Sequence, residues 1–285
     1  MVLTKIKKYG EMVMFSHILF SLPFSMIAMF WASGGFPKLL TFVWILLALI
    51  GARNGANALN RIVDAKIDKK NPRTSNRHLP SGEIKKIEAI FLTVLFFALY
   101  FIAAFNLNST CLFLSPIPIA IFFLYSYSKR FTWLCHIILG IACGGAPVGA
   151  WLAVTGSFAW PPILLGAVVT FWVAGFDVIY ATQDFNFDKN NNLHSIPVFF
   201  GIKGSLIISS LLHILSLGIL FSLFFIMNMG ITYLIGLFLI SILLFIEHKM
   251  VSPNNLKTMK IASYSINQIV SVLFFIFTTF DIFLF

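Results

Sequence analysis

The acidic side chains of this sequence are few and unevenly placed. Of its ten Asp and Glu, five fall in two short stretches: Asp64 and Asp68, then Asp177, Asp184 and Asp188. The first stretch reads Arg53-x3-Asn57-x2-Asn60-x3-Asp64-x3-Asp68. Its steps of 4, 3, 4 and 4 put all five side chains on one face of a helix. The second reads Asp177-x2-Tyr180-x3-Asp184-x3-Asp188, with steps of 3, 4 and 4 and again a shared face. Carboxylates gathered in this way repel and raise one another's pKa, so something cationic must neutralise them. Asp and Asn offer hard oxygen donors, and no His-x3-His pair or Cys lies nearby, which favours Mg²⁺ over zinc. Mg²⁺ keeps waters and shares its coordination with phosphate oxygens. Arg73, Arg77, Lys129 and Arg130 are suited to an anion such as diphosphate. The alternative is a solvated rim of ion-paired loop residues, which does not account for two registers that both run into apolar sequence. A Walker loop is absent, so ATP hydrolysis is unsupported.

The elements that carry these residues follow from composition. The 285 residues are 59% hydrophobic and 11% charged, with a net charge of +10 and a mean hydropathy of +0.92. So little polar sequence cannot coat a soluble globule, which excludes a nucleic-acid-binding domain and a disordered chain despite the basic balance. Nine apolar spans are predicted: Met12–Ala32, Leu40–Asn60, Ile87–Phe105, Cys111–Tyr127, Trp133–Val154, Pro161–Gln183, Ser205–Met227, Ile231–Phe245 and Ile261–Phe283. Backbone polar groups must be satisfied within lipid, and the spans lack strand alternation, so they are expected as helices. Pro116 and Pro118 predict a kink or broken turn in the fourth. With a cytoplasmic N-terminus, segments 1–11, 61–86, 128–132, 184–204 and 246–260 hold eighteen of the 20 Lys and Arg. That asymmetry predicts a single multi-pass domain over 1–285 in the cell (inner) membrane, N-terminus inside and C-terminus outside. Segments 61–86 and 184–204 are then cytoplasmic loops. Cys111, Cys135 and Cys143 form no pairing pattern and read as small buried hydrophobes. Nothing in the sequence points to an obligatory protein partner.

The two acidic stretches resemble the Asp-rich motifs of the UbiA-type intramembrane prenyltransferases. Asn60-Arg-Ile-Val-Asp64-Ala-Lys-Ile-Asp68 is similar to the first motif, and Asn71-Pro-Arg-Thr-Ser-Asn-Arg77-His-Leu-Pro-Ser-Gly82 to the loop after it. Asp177-Val-Ile-Tyr180-Ala-Thr-Gln-Asp184-Phe-Asn-Phe-Asp188 is similar to the second motif, followed by His194-Ser-Ile-Pro197. Weaker likenesses are Ser16 to Phe24 and Lys129 to Thr132. Within the family the sequence is most similar to the 4-hydroxybenzoate polyprenyltransferase group. It departs at Arg61, where many members carry Asp; that substitution leaves the acceptor open between 4-hydroxybenzoate and the dihydroxynaphthoate of menaquinone biosynthesis.

The resemblance implies an all-α barrel of nine helices around a central cavity. It also implies transfer of a polyprenyl group from its diphosphate to an aromatic acid in quinone biosynthesis. The same chemistry assigns metal-binding roles to Asn60, Asp64, Asp68, Asp177, Asp184 and Asp188, with Mg²⁺ as cofactor. Arg73, Arg77, Lys129 and Arg130 are the diphosphate contacts. Arg53, two turns deeper than Asn60, is the expected partner of the acceptor carboxylate, with Tyr180 beside the acceptor. A remote alternative is an ion-coupled transporter, which would place its charges near the midplane rather than at the cytoplasmic ends of the spans.

Overall fold

The structure, a computed structural model, describes residues 2–14, 18, 20–253 and 258–284. Every regular element among them is helical: α1 (Val2–Met12), α2 (Leu22–Ser33), α3 (Leu39–Lys70), α4 (Lys86–Leu107), α5 (Ser109–Leu114), α6 (Pro116–Ser128), α7 (Cys135–Thr155), α8 (Trp160–Ala181), α9 (Phe185–Asn190), α10 (Ile196–Ile226), α11 (Ile231–Met250) and α12 (Asn267–Leu284). A 3₁₀ turn, Thr182–Asp184, joins α8 to α9, and a π-helical turn, Ile261–Ile266, precedes α12. Eight helical segments among the described residues are long and apolar enough to cross a membrane, so the chain is a multi-pass membrane protein.

Several predicted boundaries are corrected. The first span, Met12–Ala32, is not one helix. The chain turns at Val13 and Met14, where Met14 has φ 51°, and α2 begins at Leu22. The resulting α2 has 12 residues, too few to cross alone. Ser16 and His17 lie outside the described residues. Segment 61–86 is not a loop from its start, because α3 runs to Lys70. Polar residues at Asn60, Asp64 and Asp68 end the apolar run without ending the helix. Over 32 residues α3 is about 48 Å long, some three turns more than the ~30 Å apolar core of a bilayer. Segment 184–204 likewise holds α9 and the start of α10, with only five residues between them. The helix α10 bends at Gly201, whose φ of 70° suits glycine. The predicted break in the fourth span is present: α5 ends at Leu114 and α6 starts on Pro116, where a missing N–H costs nothing.

The helices form two compact units. Unit 1 comprises residues 1–18 and 39–127; unit 2 comprises 19–38 and 128–285. Each carries one acidic stretch on a helix packed unusually close to a neighbour. In unit 1, a Cβ at Gly51 of α3 would lie 2.7 Å from the Phe96 carbonyl oxygen of α4, and one at Gly55 would lie within the Phe97 ring's contact distance. In unit 2, a Cβ at Gly144 of α7 would meet the Gly166 carbonyl oxygen of α8 at 2.3 Å. Gly51-x3-Gly55 and Gly140-x3-Gly144 are the spacing by which small residues let membrane helices approach. The acidic helices α3 and α8 are thereby clamped near their midpoints.

Unit 2 also buries a polar network that no sequence spacing marks. Trp172 Nε1 donates to Asn267 Oδ1 at 2.6 Å, and Asn267 Nδ2 donates to Glu247 Oε1 at 2.9 Å. His213 Nδ1 lies 2.9 Å from His248 Nε2. Together these groups tie α8, α10, α11 and α12. Asp281 of α12 accepts from the backbone N–H groups of Gly230 and Tyr233 at 2.6 and 3.0 Å, capping the N-terminus of α11.

Candidate metal and diphosphate centre

The first acidic stretch lies wholly on α3, so Arg53, Asn57, Asn60, Asp64 and Asp68 keep an uninterrupted helical register. Asn60 Nδ2 donates to Asp64 Oδ2 at 2.9 Å, one turn on. Asp68 is buried at 6% exposure, and Arg77 Nη1 donates to both of its oxygens, at 2.8 and 2.7 Å. The intervening chain makes this pairing possible. Pro72 disfavours helix for Asn71 and stops α3. Asn71 Oδ1 then accepts from the Arg73 N–H at 3.0 Å, and Thr74 Oγ1 donates to the Asp68 carbonyl oxygen at 3.1 Å. These bonds fold the chain back over the helix end and bring Arg77 beside Asp68, while Arg73 is exposed. Arg53 is half-buried two turns before Asn60.

The second stretch is less regular than its spacing implies. Asp177 and Tyr180 belong to α8, Asp184 closes the 3₁₀ turn, and Asp188 belongs to α9. The 3₁₀ turn rotates each residue by about 120° rather than 100°, so Asp184 and Asp188 are turned relative to a continuous α-helix. Both are buried, at 6% and 2% exposure. Lys129 Nζ lies 3.4 Å from Asp188 Oδ2. The residue 129 and residue 194 segments are joined by the His194 N–H donating to the Lys129 carbonyl oxygen at 2.7 Å. Burial is the largest single influence and works against the Lys129 ammonium, but the combined negative charge of Asp188, Cys135, Asp184 and Asp177 outweighs it, so its pKa lies above the ordinary lysine value. Arg130 is half-buried beside it in sequence.

One partner was not anticipated. His136 of α7, 1% exposed, places Nδ1 2.7 Å from Asp177 Oδ2. No spacing rule links positions 136 and 177; only the close packing of α7 on α8 does. Tyr180 stacks edge-on against Tyr264 of the π-helical turn, with ring centroids 4.8 Å apart.

The donor set fits a hard divalent cation. The candidate donors are carboxylate oxygens, buried at Asp68, Asp184 and Asp188, and the half-buried amide of Asn60; the carboxylates of Asp68 and Asp188 are compensated by a guanidinium and an ammonium. A cation binding there would take over a charge-balancing role that basic side chains now fill. Among the described residues no three His, Cys, Asp or Glu side chains converge as a ready metal cage. Mg²⁺ needs none, since it is held by one or two carboxylates with waters and phosphate oxygens.

The profile of the UbiA prenyltransferase family matches residues 21–278. The chain is 28% identical over 249 residues to a 4-hydroxybenzoate octaprenyltransferase of Pseudoalteromonas translucida, covering 87% of this chain and 85% of that one. It is 33% identical over 184 residues to the protein of that name from Actinobacillus pleuropneumoniae, covering 65% and 63%. The apo structure of a UbiA homolog from Aeropyrum pernix matches with a TM-score of 0.83 at 31% identity, over 91% of this chain and 95% of that one. A UbiA homolog from Archaeoglobus fulgidus bound to GPP and Mg²⁺ shares the fold, with a TM-score of 0.75 at 22% identity over 96% and 99%.

Proposed function

The chain belongs to the UbiA prenyltransferase family, and on that premise we propose that it transfers a polyprenyl group from polyprenyl diphosphate to the ring of 4-hydroxybenzoate. The observation that carries this is the pair of buried carboxylates, Asp68 and Asp188, each neutralised by a basic side chain suited to diphosphate. Relatives named 4-hydroxybenzoate octaprenyltransferase support the acceptor.

Asn60, Asp64 and Asp68 would hold one Mg²⁺ and Asp184 and Asp188 another, with Asp177, oriented by His136, at the second. When bound, Mg²⁺ supplies Lewis-acid stabilisation of charge on the leaving diphosphate. Arg77 and Lys129 exchange their carboxylate partners for diphosphate oxygens, with Arg73 and Arg130 as further contacts. The allylic C–O bond breaks and its electron pair leaves with diphosphate. The electron-rich ring carbon forms the new C–C bond and the ring then loses its proton. Arg53 pairs with the acceptor carboxylate and Tyr180 borders the ring. Apolar walls keep water from the cation.

The same reaction on a dihydroxynaphthoate is the second reading, favoured only by Arg61. In the inner membrane, with a cytoplasmic N-terminus, α2 would serve as the crossing part of a ninth span. Purified protein given Mg²⁺, a polyprenyl diphosphate and either acid, each acid in turn, tests the assignment. Prenylated 4-hydroxybenzoate is expected; prenylated naphthoate alone would move the acceptor, and release of no diphosphate with either would defeat the reading.

A further inference from the structure

The N-terminal helix α1 takes no part in the proposed chemistry, yet its polar side chains are engaged along its length. Lys5 Nζ lies 2.5 Å from Glu88 Oε1, and Lys8 Nζ lies 3.0 Å from Glu83 Oε2. Glu11 Oε2 lies 3.4 Å from His78 Nε2, and the Tyr9 hydroxyl donates to Glu88 Oε1 at 3.2 Å. Met12 and Val13, each 2% exposed, are buried with Ala58 of α3, Ile84 of the following loop, and Ala89 and Leu92 of α4. The carbonyls at the end of a helix have no intrahelical donor and need one from elsewhere. Here α3 supplies it: Asn57 Nδ2 donates to the Val13 carbonyl oxygen at 2.6 Å, and Arg61 Nε to that of Met12 at 3.5 Å.

These contacts fall on the two pieces of chain that hold Arg77 and Asp68 together. Residues 57 and 61 lie on the acidic helix itself. Residues 78, 83 and 84 bound a closed stretch of loop, in which the Ile84 N–H donates to the His78 carbonyl oxygen at 3.0 Å. Arg77 is the residue immediately before that closure. Loop and helix are therefore both gripped by α1, ionically on the outside and by apolar packing beneath.

We infer that α1 is a clasp that fixes the Arg77-bearing loop against the acidic helix, with Asn57 and Arg61 as positioning residues, so that the donor diphosphate meets a preset guanidinium. This rests on the proposed function for the identity of the diphosphate. It also gives Arg61 a task in this chain, the closing of α1, that is independent of the acceptor. Reversing one charge replaces an attraction by a repulsion, while exchanging both restores the attraction in the opposite sense.

The test uses the full chain in lipid nanodiscs, as Lys8→Glu, Glu83→Lys, the double exchange, Arg61→Ala and Arg61→Lys. Two quantities are read: kcat and KM for polyprenyl diphosphate, and hydrogen exchange of the amides from 74 to 84. Each single charge reversal and Arg61→Ala should raise the donor KM about two- to fivefold, with kcat and the acceptor KM little changed, and speed exchange at Ile84. The double exchange should restore both quantities, and Arg61→Lys should recover part of each. Unchanged exchange in the single variants, or a double exchange that restores neither quantity, would overturn the clasp. A loss confined to kcat would equally overturn its positioning role. The exchange readout stands without turnover, so a protein that transfers no prenyl group would defeat the proposed function and leave the clasp decided by exchange alone.

Discussion

Replacing Arg77 by Ala separates the two tasks assigned to that residue. In the structure its Nη1 donates to both oxygens of Asp68, whose side chain is 9% exposed, while the arginine is 29% exposed. Removing one member of a fully buried pair costs about 3–5 kcal/mol, and a hydrogen bond to a charged group contributes about 1.5–3 kcal/mol. The partial exposure of Arg77 puts the loss at the low end, about 2 kcal/mol. For a chain of this size that corresponds to a fall of about 4–8 °C in apparent melting temperature. The assay is thermal unfolding of the detergent-solubilised protein, with and without Mg²⁺ and inorganic diphosphate. Wild type should melt higher than Arg77→Ala in the absence of ligand. Mg²⁺ alone should recover more of the loss in the variant than it adds to wild type, because the cation replaces the missing charge at Asp68. Activity should remain low even where stability is recovered, since the diphosphate contact is gone. Equal melting of both proteins without ligand would refute the burial argument. An equal response of both to Mg²⁺ would refute Asp68 as a metal ligand.

Further outcomes follow from other contacts. Lys129→Ala should destabilise less than Arg77→Ala, because its 3.4 Å contact is longer and the lysine more exposed; the same thermal assay compares them. Gly144→Ala places a methyl 2.3 Å from the Gly166 carbonyl oxygen, so α7 and α8 must separate, at a cost of about 1–3 kcal/mol and with lost activity through displacement of Asp177. Asp281→Ala removes the acceptor for two N–H groups at the start of α11 and should cost about 1–2 kcal/mol in denaturant unfolding while leaving both Km values unchanged. Arg53→Ala should raise the acceptor KM well above its effect on the donor KM, which steady-state kinetics with each substrate varied will show.

The acidic register on α3 was legible because charge does not interrupt a helix, so spacing alone placed Asn60, Asp64 and Asp68 on one face. The second stretch kept its residues but not its regularity: nothing local announces the 3₁₀ turn at Thr182–Asp184. The predicted first span failed because hydropathy averages over a bend, and the turn at Met14 leaves composition unchanged. The pairings of Arg77 with Asp68 and Lys129 with Asp188 joined residues already singled out, but for diphosphate rather than for each other. His136 and Glu247 were invisible for a different reason. His136 is a lone polar residue in an apolar run, whereas Glu247 stands in the charged Glu247-His248-Lys249 end of α11 and reads as ordinary loop charge; in each case only the helix packed against it supplies the partner. The glycine pairs at 51/55 and 140/144 gained their meaning only from the structure, because which helix they admit is a tertiary fact.

The central claim is that the two acidic clusters serve prenyl transfer from a diphosphate. It is tested most directly by measuring Mg²⁺-dependent formation of ring-prenylated product from polyprenyl diphosphate and 4-hydroxybenzoate, for wild type beside Asp64→Ala and Asp184→Ala that still insert in the membrane. The account predicts product from wild type and none from either variant. Full activity in both variants, or no prenylated product from the wild type with any aromatic acid, would contradict it.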